Sequence, residues 1–163
     1  MYYSQYTQPF SDYLKFEKRY SQNTIRAYTD DLTQFFLYIT GNYGEFPLNE
    51  IPTSYIRTWL ASMKEDKMTA KSLNRKISTL KSFFKFHLRQ KTIDKNPTAT
   101  LVSPKIGKRL PNFIENENME TLFNHVEFSE GWNGKTEKLV LKLLYQTGMR
   151  LSELINLKEN QID

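Results

Sequence analysis

Residues 69–91 combine a helical repeat of apolar side chains with a complete absence of acidic ones. The apolar positions are Leu73, Ile77, Leu80, Phe84 and Leu88. At about 100° per residue they fall within about 80° of one another, which predicts a helix buried along one side. The other side interleaves cations with small hydroxyls: Lys71, Arg75, Ser78, Ser82, Lys85 and Arg89, flanked by Asn74 and Lys81. The segment therefore needs a partner for its apolar side and leaves a positively charged face.

The same helical repeat predicts three earlier helices. They run from Pro9 to Arg19, from Ser21 to about Thr40, and from just after Thr53. Pro9 is placed near the start of the first helix, where a missing N–H costs little. Ser21 is a favourable N-cap for the second, and Gly41, Gly44 and Pro47 are expected to break it. Four helices with short links predict a compact bundle and an all-α fold.

The chain changes character between residues 96 and 111, which hold three prolines and little periodicity. This segment is predicted to be an extended interdomain linker, and it adds Lys105, Lys108 and Arg109 to the basic residues. A second unit follows, with helices predicted around Asn118–Glu127, at Thr136–Gln146 and at Leu151–Asn156. A turn is expected at Gly131–Gly134, and the residues expected inside are Leu139, Val140, Leu143 and Leu144. Gly148 suits the left-handed position that ends a helix.

Charge is distributed unevenly along the chain. The net charge is +5, but residues 1–111 carry 18 basic and 9 acidic side chains, whereas residues 112–163 carry 5 and 9. This concentration indicates a polyanionic partner, either nucleic acid or an anionic membrane; a merely solvated basic surface is the alternative. The chain has no cysteine, no signal-peptide pattern and no apolar run of about 20 residues. These features predict a soluble, cytoplasmic protein.

The basic side of the 69–91 helix favours double-stranded DNA as the polyanion. Lysine and arginine neutralise phosphates, and serines can donate to phosphate oxygens. RNA readers commonly present aromatic side chains on a sheet, and no such strand motif occurs. Ser21, Thr24 and Arg26 at the start of the second helix form another candidate phosphate contact, with ordinary helix capping as the alternative.

Four segments of the sequence resemble the tyrosine recombinase, or phage integrase, family of the Xer type. The first two are Ser21-x-x-Thr24-x-x-x-Tyr28-x-x-Asp31-Leu32 and the run from Arg75 to Phe86. The third comprises Asn96-Pro97, Ser103-Pro104-Lys105 and Leu110-Pro111, and the sharpest is Thr147-Gly148-Met149-Arg150-Leu151-Ser152-Glu153-Leu154. The resemblance implies a four-helix SAM-like core-binding domain over residues 1–101 and a linker over 102–112. Residues 113–163 would then be the N-terminal part of a truncated, mainly α-helical catalytic domain.

The resemblance also implies a reaction. Such recombinases clamp duplex DNA, and a tyrosine attacks the scissile phosphate to give a 3′-phosphotyrosine, without a metal or other cofactor. Arg150 matches the first active-site arginine, and Glu153 is expected to orient it. The family's lysine, His-x-x-Arg pair and tyrosine nucleophile are expected beyond Asp163, because neither His87 nor His125 has the required spacing. We therefore expect residues 1–163 to bind DNA as a monomer without cutting it, whereas the whole recombinase would assemble as a tetramer on its site.

Two other classes of protein stay open. One is a non-enzymatic, recombinase-like DNA-binding regulator. The other is a helical interaction module whose basic side meets an acidic protein or a membrane, although membrane helices usually carry large apolar residues where this one has serines.

Overall fold

A computed structural model of the chain describes residues 2–107, 114–125 and 127–161. All regular structure in these ranges is helical, which confirms the all-α prediction. The chain divides into two compact units, Met1–Lys108 and Arg109–Asp163. No helix in the described ranges is long and apolar enough to cross a membrane.

The first unit contains four α-helices. They are α1 (Ser4–Asp12), α2 (Gln22–Tyr43), α3 (Thr53–Glu65) and α4 (Ala70–Arg89). A π-helical turn, Tyr13–Glu17, continues α1, and a 3-10 turn, Leu48–Glu50, precedes α3. Ser21 and Thr69 cap α2 and α4: each hydroxyl oxygen accepts a backbone N–H from three residues on, at 3.3 and 3.2 Å. These bonds satisfy N–H groups that a helix start leaves unpaired, so local chemistry fixes where both helices begin.

Aromatic side chains from all four helices form the core of the first unit. Phe10, Phe35, Trp59, Phe83 and Phe84 are fully buried. The Phe35 ring lies 5.1 Å from the Trp59 ring, and the Phe10 ring meets the Phe83 ring edge-on at 5.3 Å. Edge-to-face pairs of this kind add about 0.5–1.5 kcal/mol each beyond the area they bury. The core therefore both holds the helices together and fixes which side of α4 faces outward.

The first helix starts earlier than predicted. It begins at Ser4, so Pro9 is its sixth residue and lacks the N–H that would donate to the Gln5 carbonyl. Tyr3, just before the helix, is buried and stacks on Phe36 at 4.1 Å, and its hydroxyl accepts the backbone N–H of Phe46. This tertiary anchoring offsets the lost helical bond and keeps the segment before Pro9 helical.

Two details of α2 and α4 also differ from the prediction. Helix α2 runs through Gly41 to Tyr43, where the Tyr43 ring stacks on Tyr55 of α3 at 3.7 Å and stabilises the last turn. Leu88 is 38% exposed rather than core. In that turn Phe86 and His87 are buried instead, because α1 and its π-helical turn pack against them.

The second unit contains α5 (Asn116–His125), α6 (Trp132–Thr147), α7 (Leu151–Ile155) and a 3-10 turn, Glu159–Gln161. Helix α6 begins four residues before the prediction and includes Gly134, which was expected in a turn. A Cβ on Gly134 would lie 1.7 Å from the Ser129 carbonyl oxygen, so this glycine permits a close backbone approach. Leu139 is 56% exposed rather than inside, and Val140, Leu143 and Leu144 are half-buried.

Candidate nucleic-acid interface

Helix α4 presents the predicted polar residues on its outward side. Lys71, Arg75, Ser78, Lys85 and Arg89 are exposed, and Ser82 is half-buried. These six residues are the basic face. Leu73, Ile77, Leu80, Phe83 and Phe84 on the other side are buried. The aromatic core thus holds α4 so that its cations line one outer surface.

Neighbouring elements supply the acids that α4 lacks. Arg75 Nη1 donates to Asp31 Oδ2 of α2 at 2.6 Å. Arg89 Nη2 lies 3.9 Å from Glu17 Oε2, and its guanidinium lies over the Tyr13 ring at 4.7 Å. Two cations of the basic face are therefore partly balanced inside the protein. In the described part of the chain, Lys71 and Lys85 form no ion pair.

A buried ionic cluster behind the basic face was not predicted. Lys76 and Asp31 are 2% and 1% exposed, and Lys76 Nζ donates to Asp31 Oδ1 at 2.8 Å. Lys76 Nζ also donates to Gln34 Oε1 at 2.5 Å, and Thr79 Oγ1 donates to Asp31 Oδ2 at 3.0 Å. The helical position of Lys76, about 60° from Leu73, was a signal that it lies on the buried side.

The two serines of the basic face already have partners within the protein. Ser78 Oγ donates to the Asn74 carbonyl at 2.9 Å. The Ser82 hydroxyl hydrogen-bonds the phenol of Tyr28 in α2. Burial raises the pKa of Tyr28, and the nearby Tyr20 adds to the rise, whereas the Ser82 bond opposes it. Donation from these serines to phosphate would require their hydroxyls to rotate away from these partners.

The predicted linker begins against the bundle. Thr53 Oγ1 donates to the Pro97 carbonyl at 2.7 Å, and Leu101 is buried, whereas Val102 is 88% exposed. Asn74 Nδ2 then donates to the Pro104 carbonyl at 2.9 Å, which places the segment carrying the exposed Lys105 beside α4. Lys108 and Arg109 lie outside the described residues.

The predicted contact at the start of α2 forms an ordinary cap. Besides accepting the Thr24 N–H, Ser21 Oγ lies 2.9 Å from Thr24 Oγ1. Arg26 is highly exposed, and its Nε lies 3.8 Å from Asp30 Oδ2. Exposed pairs at this distance contribute little, so Arg26 stays available to an external anion.

A surface groove of about 480 Å³ lies at the C-terminal end of the basic face. Its lining includes three cations, Lys18, Lys85 and Arg89, together with Tyr13 and Phe86. Lys18 was not among the predicted contact residues, because it precedes α2 and approaches this groove only in the folded bundle. Clustered cations beside aromatic side chains can bind the backbone of a nucleic acid.

In the second unit, Arg150 lies at the junction of α6 and α7. Gly148 ends α6 with φ of 65°, and its N–H donates to the Leu144 carbonyl at 3.0 Å, as predicted. Glu153 then accepts two bonds from Arg150, one from the backbone N–H at 2.7 Å and one from Nη1 at 2.9 Å. Both bonds lower the pKa of Glu153, the backbone bond most. The Arg150 side chain is 82% exposed, so the Glu153 carboxylate binds one edge of the guanidinium and leaves the rest open to an anion.

Among the described residues, no group of three or more histidine, cysteine, aspartate or glutamate side chains is arranged to hold a metal ion.

Comparison with known proteins identifies a family that the chain matches. The family model described as "Phage integrase, N-terminal SAM-like domain" matches residues 7–91, just over half of the chain. The tyrosine recombinase XerC of Staphylococcus saprophyticus is 38% identical over 150 residues, which cover 92% of this chain and 50% of the relative. XerC of Bacillus pumilus is 36% identical over 156 residues, 94% of this chain and 50% of the relative. The chain thus spans about half the length of the curated relatives it matches.

Solved structures support the same fold. A structure of the Tn1549 transposon integrase in complex with a circular intermediate DNA matches 96% of this chain and 49% of its own, with a TM-score of 0.67 and 18% identity. A second structure of that integrase, in complex with transposon right end DNA, also gives a TM-score of 0.67, at 19% identity. At this level of identity the likeness concerns the arrangement of helices.

Proposed function

Because this chain belongs to the phage integrase family of tyrosine recombinases, we propose that it binds duplex DNA through the basic face of α4 as part of a site-specific recombinase. The family membership confirms the resemblance inferred from the sequence motifs. In this proposal residues 1–101 are the core-binding domain, residues 102–112 are the linker, and residues 113–163 are the start of the catalytic domain. We also propose that the protein is cytoplasmic, because its proposed partner is DNA.

The observation that carries the proposal is the separation of charge from core on α4. Its buried side is fixed by aromatic packing, and its outer side carries four cations over five turns. Lys71 and Lys85 have no carboxylate partner among the described residues, so phosphates can pair with them without first breaking an internal ion pair. Each lysine or arginine that neutralises a phosphate releases counterions and makes the slope of log affinity against log salt more negative by about 0.9.

A salt series tests the proposal. Fluorescence anisotropy with a mixed-sequence duplex would be measured for residues 1–163 and for the Lys71→Ala, Lys85→Ala double variant. We expect tight binding at low salt, a steep negative salt slope, and a slope reduced by about 1.8 in the variant. The matched control is Lys64→Ala with Lys95→Ala, which removes the same charge from exposed positions outside α4. Equal slope reductions in the two variants would contradict the proposal, because total charge rather than the basic face would then govern binding.

We further propose that Arg150 is the first active-site arginine and that Glu153 orients it. A guanidinium can bind two phosphate oxygens at once, which a lysine ammonium cannot do. The side-chain Nε–H resonance of Arg150, assigned from the Arg150→Lys variant, should shift when duplex is added. The Glu153→Gln variant, with its weaker acceptor, should show a smaller shift. An Arg150 resonance that does not change on saturation with DNA would rule out this contact.

Strand cleavage and assembly complete the proposal. The whole recombinase would cut DNA through a 3′-phosphotyrosine and act as a tetramer, whereas residues 1–163 would bind as a monomer without cutting. Light scattering with and without DNA tests the oligomeric state. A nicked duplex that traps covalent protein–DNA products tests cleavage; a covalent product from residues 1–163 would show that a nucleophile lies within them.

A further inference from the structure

We propose that Asp31 and Lys76 are positioning residues that hold the Arg75 guanidinium on the basic face as an oriented and still positively charged contact for DNA. This inference rests on the proposed function of α4. It adds two buried residues that make no DNA contact themselves, and it gives Arg75 a role different from those of Lys71 and Lys85.

The orientation of Arg75 follows from contacts to α2. Its Nη1 donates to Asp31 Oδ2 at 2.6 Å and lies 3.4 Å from the Ala27 carbonyl oxygen. One corner of the guanidinium is therefore fixed by two acceptors on another helix. The side chain is still 50% exposed, and a guanidinium has further N–H donors on Nη2 and Nε. The fork is thus held at its inner corner and can donate outward.

The charge of Arg75 is preserved by Lys76. Asp31 is almost fully buried and meets two cations, Arg75 on one oxygen and Lys76 on the other. Since Lys76 is itself buried, its positive charge balances the Asp31 carboxylate and is not available to an external anion. The three side chains together carry a net charge of +1, and only Arg75 presents it to solvent. Without Lys76, the carboxylate that orients Arg75 would also neutralise it.

The arrangement favours directional binding by Arg75. A free arginine loses rotamer freedom when it binds, whereas one already held by the protein loses less. A planar fork in a fixed position suits a bidentate contact, such as guanine O6 and N7 in the major groove. Lys71 and Lys85, which lack such support, suit phosphates, where position matters less.

The test separates orientation from charge. Asp31→Asn combined with Lys76→Met removes both buried charges, leaves the net charge unchanged and leaves Arg75 in place without its carboxylate. We expect the dissociation constant for the duplex to rise about tenfold with the salt slope unchanged, because every exposed cation remains. Arg75→Lys keeps the charge but not the fork, and it should weaken binding to a similar degree.

Two controls exclude simpler explanations. Asp30→Asn removes one carboxylate from the adjacent, exposed position of α2 and should leave binding unchanged or slightly tighter. Ile39→Val loosens the buried core at a position of α2 that is neither on the basic face nor in the Asp31–Lys76 cluster, and it should lower the melting temperature without changing the affinity of the folded protein. Circular dichroism confirms that each variant is folded under the binding conditions.

The outcomes distinguish this inference from the proposed function. If the buried double variant, or Arg75→Lys where the double variant does not fold, binds within twofold of the parent protein, the inference is overturned. If Lys71→Ala with Lys85→Ala weakens binding in the same experiment, the basic face is retained and only the positioning role is lost. If no α4 variant weakens binding, the proposed function itself is wrong.

Discussion

The Asp31–Lys76 pair makes a prediction about stability that can be worked out from its geometry. Asp31→Asn keeps the size of the side chain and removes its charge. Lys76, with a side chain 3% exposed, would then lie in the interior with only neutral acceptors, at Gln34 and the new amide. Removing one partner of a buried ion pair typically costs about 3–5 kcal/mol, because the other charge stays buried without compensation.

The Lys76→Met variant and the double variant should each lower the free energy of unfolding by less than Asp31→Asn does. Lys76→Met leaves Asp31 with the Arg75 guanidinium at 2.6 Å and the Thr79 hydroxyl at 3.0 Å, so its cost should be about 1.5–3 kcal/mol. The double variant contains no buried charge, and replacing a whole pair is often nearly neutral. Because the two single costs sum to about 4.5–8 kcal/mol and the double variant should cost little, the coupling energy between the two positions should be of that size.

Urea unfolding of the first unit measures these energies. Trp59 reports on it directly, since its ring lies 5.6 Å from Lys76 Nζ, and a Trp132→Phe background removes the signal of the exposed tryptophan in the second unit. With an m-value of about 1.5 kcal/mol/M, Asp31→Asn should lower the midpoint by about 2–3 M. Purely additive effects, or an Asp31→Asn cost below about 1 kcal/mol, would refute the reasoning that the pair is buried and mutually compensating.

Three further predictions concern single groups. Burial lowers the pKa of His87 below 6.5, with a smaller opposing effect from its bond to the Tyr6 carbonyl. Because the folded state favours the neutral ring, the free energy of unfolding should have its full value above pH 6.5 and decrease as the pH falls below it. The His87→Gln variant should lose this pH dependence in urea titrations. Ser21→Ala and Thr69→Ala should each cost about 1 kcal/mol by thermal melting, whereas an alanine at an uncapped surface position should not. Gly148→Ala should cost about 1 kcal/mol through its positive φ, seen as faster amide exchange in the last turn of α6 and absent for a nearby alanine at negative φ.

Features with a local cause could be predicted from the sequence. Ser21 and Thr69 cap their helices through bonds that span three residues, and Gly148 terminates α6 through its own backbone angles. The outward position of the α4 cations followed from helical spacing alone. In each case the physical cause lies within one or two turns of the residue concerned.

Features with a distant cause could not be predicted in this way. Pro9 and Gly41 lie inside helices because aromatic contacts from other elements stabilise the turns around them. Gly134 was interpreted as a turn glycine, but a glycine is needed there because the Ser129 carbonyl oxygen lies where a Cβ would be. The contacts of Asp31 with α4 join residues more than 40 positions apart, so spacing on either helix alone gave no sign of them.

The distribution of carboxylates around α4 explains how a helix without acids is stable and still presents charge. Like charges four residues apart, as at Lys71–Arg75 and Lys85–Arg89, each cost an isolated helix about 0.2–0.5 kcal/mol. Asp31 offsets this repulsion on one side of the helix and Glu17 near its end, both from other elements. Because those acids are supplied from behind and from one end, they stabilise α4 without covering Lys71 and Lys85. The tertiary fold therefore provides the compensation that most surface helices take from their own sequence, and it leaves the outer cations for a polyanion.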